Sequence, residues 1–255
     1  MSPRLDEQEL RRRAIAGIGD EVAAFGRATP DSRLIRHPGL SASVSPGSPE
    51  RSIFNAVFYE RPAALAERIE ELAAAYAAAA VRAWTVWVPD EDRASAAALE
   101  RRGHRLDGAP RAMALDLAGL ATEPRRPQVV EQVSLEPADG AVLNARAYGY
   151  DDSDLAAGFG AGAGIRWLGA SEAGEPLACV GTIDAGDDCC VTGVATPPEH
   201  RGRGLASWLL WQALAEARER GLASASLRAS RAGAPLYERL GFRDLGFVEL
   251  WELRR

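Results

Sequence analysis

Val194-Ala195-Thr196-Pro197-Pro198-Glu199-His200-Arg201-Gly202-Arg203-Gly204-Leu205-Ala206 connects a β-prone run, Cys189 to Val194, to a helical pattern lasting from Leu205 to Arg220. A helix that starts directly after a tight turn leaves its first backbone N–H groups without partners. Together with the positive end of the helix dipole, these groups form a site for a phosphate or pyrophosphate. Gly202 and Gly204 put no Cβ between backbone and ligand. Arg201 and Arg203 supply donors suited to phosphate oxygens. A Walker loop would end in Gly-Lys-Ser/Thr, and this turn has no lysine. A dinucleotide loop would read G-x-G-x-x-G, whereas Gly202-Arg203-Gly204-Leu205-Ala206-Ser207 ends in serine.

Around this turn the pattern reads as a series of elements. A strand at Val129–Ser134 precedes a helix from Pro137 to about Tyr148. A glycine-rich loop (Gly158, Gly160, Gly162, Gly164) is read as a mobile cover or an unstructured connection. Strands near Ile165–Ala170, Leu177–Asp184 and Cys189–Thr196 lead into the helix Leu205–Arg220, which Gly221 ends. A strand near Ala223–Ala229, a short helix at Ala234–Leu240 and a strand near Gly246–Leu253 complete the chain. The mixed order implies an α/β (α+β) fold with a central, largely antiparallel sheet flanked by helices.

The order Arg201-x-x-Gly204-x-Ala206 resembles the acyl-CoA pyrophosphate loop of the GNAT superfamily of N-acyltransferases. Pro235-Leu236-Tyr237-Glu238-Arg239-Leu240-Gly241-Phe242 is similar to that family's "LYERLGF" signature, and the two motifs stand in the family's order. The resemblance implies a GNAT-like fold and transfer of an acyl group, most simply acetyl, from acetyl-CoA (acyl-CoA) as co-substrate to an amine by direct attack. It places Arg201, Gly202, Arg203, Gly204, Leu205 and Ala206 at the pyrophosphate. Backbone groups of Val194 and Thr196 would pair with the pantetheine arm, because a splayed strand edge offers free donors and acceptors. Tyr237 would protonate the departing thiolate, since a phenol is neutral at pH 7 and carries an O–H.

Two family features are missing. The strand Cys189–Thr196 has no carboxylate to act as general base. Asp184 on the preceding strand is a candidate, as are Asp187 and Asp188 in the turn and a water chain. Ser230 occupies the region of the family's frequent asparagine and could hydrogen-bond the CoA arm. The lost carboxylate keeps open an alternative, a non-catalytic acyl-CoA-binding or sensing module.

The first half echoes the second. Leu99-Glu100-Arg101-Arg102-Gly103-His104-Arg105 lines up with Tyr237-Glu238-Arg239-Leu240-Gly241-Phe242-Arg243, each between two strands. Self-similarity over a domain-sized interval suggests duplication. Ile53–Tyr59 and Ala63–Ala80 would match the strand and helix of the glycine turn, but only Glu60-Arg61-Pro62 lies between them. Leu117 to Gln128 carries two prolines and reads as a linker. Residues 1–122 are therefore expected to be a degenerate GNAT-like domain, 123–128 a linker and 129–255 the catalytic domain: two tandem copies. The amphipathic start, Leu5 to Phe25, is expected to pack on the second domain.

Composition bounds the rest. The 255 residues are 47% hydrophobic and 26% charged, as in a globular protein. Acids exceed bases, 36 to 30, giving net charge −6, which argues against nucleic acid as the main partner. No signal peptide is read at the start, and Leu72–Val88, broken by Arg82, reads as helix then strand rather than a membrane span. Cys179, Cys189 and Cys190 fit no zinc spacing and read as buried, reduced thiols, so a cytoplasmic setting is expected. His37, His104 and His200 are isolated, and no metal site is expected. The acceptor is read as a small-molecule or peptide amine. The acidic cluster Asp151-Asp152-Ser153-Asp154 could draw in a cation or could be a solvated turn. A homodimer is compatible with this reading.

Overall fold

A computed structural model describes residues 4–128, 130–150 and 152–255. Leu10, Ala14, Ile18, Val22 and Phe25 recur at helical spacing and form the buried stripe of α1 (Glu7–Phe25). Asp6 caps that helix by accepting from the Glu9 amide at 2.8 Å. There follow β1 (Arg33–His37), β2 (Leu40–Val44), β3 (Ala56–Tyr59), α2 (Pro62–Ala78), β4 (Ala83–Pro89), α3 (Arg93–Arg101), β5 (Arg105–Gly108) and β6 (Arg111–Asp116). Beyond the connection come β7 (Glu131–Ser134), α4 (Pro137–Tyr148), α5 (Asp152–Gly158), β8 (Arg166–Glu172), β9 (Glu175–Ala185) and β10 (Asp188–Ala195). The chain closes with α6 (Leu205–Glu219), β11 (Ser224–Ala229), α7 (Ala234–Leu240) and β12 (Arg243–Arg254).

All twelve strands join one mixed sheet, in the order β1-β2-β3-β4-β12-β6-β11-β10-β9-β8-β7, with β5 paired to β12. The expected class of a mixed sheet flanked by helices is what the chain adopts. Two blocks share an order, β3-α2-β4-α3-β5 and β10-α6-β11-α7-β12. In each the first two strands are parallel, Ala56 opposite Thr85 and Asp188 opposite Ser224. The second helix of each block is followed by a glycine with positive φ, Gly103 at 90° and Gly241 at 103°.

The boundary read at residues 122–129 falls in the connection, yet strands pair across it. All six residues of β6 pair with β11, Arg111 opposite Ala229 through Asp116 opposite Ser224. In return, Val248–Arg254 of β12 pair with β4, from Val248 opposite Pro89 to Arg254 opposite Ala83. Each half thus lends a strand to the other. α1 lies across this seam and touches strands of both halves, among them β3, β6 and β11. Gly17 permits the close approach: a Cβ there would overlap the Ser226 hydroxyl.

The glycine-rich loop is pinned to the end of α1 rather than free. The Gly162 amide donates to the Ala28 carbonyl at 3.0 Å. A Cβ on Gly162 would collide with the Arg27 carbonyl oxygen, and one on Gly160 with that of Ala28. Backbone cannot yield as a side chain can, so Gly162→Ala should cost about 1–3 kcal/mol of stability. Chemical denaturation at pH 7 measures it, as a lowered midpoint with unchanged slope.

His104 is buried at 2% exposure, and its ring meets the Trp84 ring edge-on at 4.6 Å. Neither ring nitrogen has a partner among the described residues. Burial depresses its pKa from 6.5 to about 4. Between these values the unfolded chain takes up a proton that the folded chain refuses. Stability is therefore lost as pH falls from 6.5 toward 4, by roughly 3 kcal/mol from this group alone. Equilibrium unfolding at pH 7, 5.5 and 4.5 should show that slope, and His104→Phe should flatten it.

Candidate active site

Between β10 and β11 the parallel pairing stops early. Asp188, Cys189 and Cys190 face Ser224, Ala225 and Ser226, and no pair follows. The opposite edge of β10 stays on β9, but its register shifts between Thr192 and Ala195, where Gly193 has φ +56°. Such a bulge bends a strand away from its neighbour. Asn144 of α4 braces it, donating Nδ2 to the carbonyls of Gly140 at 2.8 Å and Gly193 at 3.2 Å. A cavity of about 690 Å³ lies at this parting. Val194, Ser230 and Tyr237 line it, with Leu250 of β12, joined from the first half by Glu21 and Trp87. At its wall the Tyr148 hydroxyl donates to the Val194 carbonyl at 2.8 Å, occupying an acceptor that a splayed strand would otherwise offer.

Beyond Val194 the chain forms the glycine turn. Gly202 and Gly204 take φ of 77° and 78°, the left-handed region that glycine enters without penalty. Gly204 is the N-cap of α6 and brings no side-chain cap to it. The first-turn amides from Leu205 and Ala206 onward thus begin a helix whose N-terminus is open to an anion. No atom lies within 4 Å of where a Cβ would stand on either glycine, so conformation rather than space dictates glycine here.

The two turn arginines have other partners. Arg201 donates Nε to the Thr196 carbonyl at 3.0 Å and a terminal nitrogen to the Ala147 carbonyl at 2.8 Å, tying the turn to the end of α4. Arg203 pairs with Glu172 at 2.9 Å. These contacts shape the turn, and each guanidinium keeps further N–H donors beside the free amides. Thr196 Oγ1 is buried without a partner among the described residues.

Tyr237 sits in α7, its ring edge-on to Phe242 at 5.9 Å. Burial raises its pKa, the nearby Tyr148 phenol adds to the rise, and the positive charge of Arg228 opposes it. The group therefore keeps its O–H throughout the neutral range and is a hydrogen-bond and proton donor. Ser230 accepts from the Gly233 amide through Oγ at 3.2 Å, which fixes the turn into α7.

The carboxylates considered as bases lie elsewhere. Asp184 does not line the cavity. It makes a two-pronged pair with Arg220, both contacts 2.8 Å, where α6 ends rather than where it begins. Its position away from the cavity sets Asp184 aside as the base. Asp187 pairs with Arg13 at 2.9 Å. Asp188 is buried, accepting from Ser224 and, at 2.6 Å, from Ser226. The three cysteines are buried, and burial pushes the Cys179 and Cys190 thiols up to about 12, so both stay S–H. Of the acidic cluster, Asp151 lies outside the described residues, and residues 152–154 are described only as the backbone that starts α5.

Sequence reading overlooked the pair formed by Glu21 of α1 and Arg228 of β11. Their side chains are 5% and 7% exposed, they are in ion-pair contact, and both line the cavity. A signal was present: Glu21 falls on the buried stripe of α1, and Arg228 is the one charged residue in Ala223–Ala229. Tyr148 and Asn144, both on α4, were missed as well.

Residues 136–242 match the model of the acetyltransferase (GNAT) family. An uncharacterized N-acetyltransferase of Streptomyces griseus is 37% identical over 116 residues, which is 41% of this chain and only 27% of that protein's length. A GCN5-related N-acetyltransferase from Kribbella flavida superposes with a TM-score of 0.66 at 20% identity, covering 95% of each chain. A tandem GNAT protein from the clavulanic acid biosynthesis pathway superposes at 0.61 with 16% identity, covering 98% of this chain and 97% of its own. At these identities the two structures speak for the fold.

Proposed function

We propose, from the match of residues 136–242 to the acetyltransferase (GNAT) family, that the chain is an acyl-CoA-dependent N-acyltransferase, most simply an N-acetyltransferase working by direct attack of an amine. The parting of β10 from β11 beyond Cys190 and Ser226 carries this reading, because it opens a cavity with Tyr237 in its wall and the uncapped start of α6 beyond it.

The residues fit such a co-substrate in three places. The amides at Gly204, Leu205 and Ala206 would hold the pyrophosphate. The free edge of β10 near Val194 and Thr196 would pair with the pantetheine amides, once Tyr148 gives up the Val194 carbonyl. Tyr237 would face the thioester sulfur. As the amine nitrogen bonds to the carbonyl carbon and the carbon–sulfur bond breaks, Tyr237 gives its proton to sulfur. It regains one, through water, from the nitrogen that has become cationic. Buried cysteines that remain S–H favour direct transfer over a cysteine acyl-enzyme.

The first half is read as a degenerate copy: it keeps the strand–helix–strand order, but Glu60-Arg61-Pro62 replaces the glycine turn. We place the reaction in the cytoplasm, with an amine of small molecule or peptide origin as acceptor.

Following free thiol while acetyl-CoA and a panel of amines are mixed with the protein tests the reading. Thiol release that requires both acetyl-CoA and an amine is expected. Tight binding of acetyl-CoA without release for any amine would instead favour an acyl-CoA-sensing module, the alternative suggested by the carboxylate missing from Cys189–Thr196.

A further inference from the structure

We infer that the Glu21–Arg228 pair selects the acceptor, and that the acceptor is a zwitterion: an amino acid with a large apolar side chain, its carboxylate on Arg228 and its ammonium on Glu21, the ammonium giving one proton to water before its nitrogen attacks. This rests on the acyltransferase reading and adds the acceptor class to it.

A buried ion pair is poor value as a structural link, because desolvation offsets most of its attraction and an apolar pair would hold α1 to β11 equally well. In the wall of the cavity that Tyr237 shares, however, the pair has unused capacity. Arg228 has five N–H donors. One terminal nitrogen meets Glu21, and the other stands 3.4 Å from Cys190 Sγ. Its guanidinium also stands 6.0 Å from the centre of the Trp87 ring. Glu21 meets Arg228 through Oε2. A planar fork with donors to spare suits a carboxylate, and a carboxylate with a spare oxygen suits an ammonium.

Net charge decides the class. The buried pair is neutral, and the cavity's other charged residue, Arg231, is exposed to water, so a zwitterion laid against the pair, charge to opposite charge, leaves no uncompensated charge there. A simple ammonium ion would leave the buried group at +1 beside Arg228, and a simple carboxylate would leave it at −1 beside Glu21. Either costs an uncompensated charge out of water. The wall also carries the rings of Phe54, Phe159 and Trp87, which would receive an apolar side chain. Glu21 comes from α1, so the first half of the chain would read the acceptor while the second holds the acyl donor. Tyr237 feels the charge of Arg228, which places the pair within electrostatic reach of the reacting centre.

Titrating phenylalanine, phenethylamine and 3-phenylpropionate into the full chain saturated with CoA, followed by calorimetry or ligand NMR, tests this without turnover. Phenylalanine should bind at least about tenfold more tightly than either singly charged analogue. In Glu21→Gln/Arg228→Gln, which keeps hydrogen-bonding groups without charge, that preference should vanish while CoA affinity persists. If the double variant does not fold, phenylalanine methyl ester against wild type takes its place, and it should bind about tenfold more weakly than the acid. Equal binding of all three probes, no binding of phenylalanine, or a preference that survives in the double variant would overturn the inference. Thiol release with any amine would leave the acyltransferase reading standing even then.

Discussion

Replacing Tyr237 by Phe is expected to lower kcat for acyl transfer by roughly 100-fold or more, the usual contribution of a positioned proton donor. The affinity for acetyl-CoA should stay within about a factor of two. The ring's edge contact with Phe242 survives the change, so the fold is retained. Only the O–H is lost, and it matters most as negative charge gathers on sulfur, so the loss should fall on kcat rather than KM. Burial holds Tyr237 protonated, so the wild-type rate should show no fall from ionisation of this phenol below about pH 10, the ordinary tyrosine value. Stopped-flow or steady-state thiol release checks both statements. An unchanged kcat would remove Tyr237 from the mechanism.

Gly204→Val should weaken acetyl-CoA binding by about 10- to 100-fold. The position has φ +78°, where a β-branched residue is an outlier costing roughly 1–2 kcal/mol or more. The cheapest relief is rotation of the turn, which swings the first amides of α6 away from the anion they would bind. No atom lies near the missing Cβ, so the effect comes from backbone conformation and not from a clash in the core. The apo melting temperature should fall by only a few degrees. Calorimetric titration of acetyl-CoA into both proteins measures the difference, and equal affinities would show that the turn holds no phosphate.

Local features of this fold could be read from the chain. The glycine turn, α6, α7 and Tyr237 each follow from short-range pattern: apolar residues at helical spacing, glycines where φ must be positive, a phenol in a recognisable octapeptide. The exchange of β6 and β12 could not be read, because alternation marks a strand without naming its partner. Two stretches of chain on either side of a linker therefore look self-contained when they are not. Arg201 and Arg203 show the same limit on a smaller scale. Beside a glycine turn they read as phosphate ligands, and their contacts with the carbonyls of Thr196 and Ala147 and the carboxylate of Glu172 could not be read from the chain. The glycine-rich loop read as mobile because glycine is permissive in isolation. Packed against the carbonyls of Arg27 and Ala28, the same residues are what allow it to be fixed. Glu21 and Arg228 are a charge on a buried helix stripe and a charge in an apolar strand. Each is legible alone, but only folding shows that they meet.

Thermal unfolding of the wild-type chain with and without about 1 mM acetyl-CoA tests most directly whether the gap between β10 and β11 is an acyl-CoA site. With a Kd near 10 μM, binding should add roughly 2.7 kcal/mol and raise the midpoint by several degrees. The rise should be largely absent in Gly204→Val and intact in Tyr237→Phe. A midpoint that does not move at saturating acetyl-CoA would contradict the assignment and leave the turn before α6 as a structural link only.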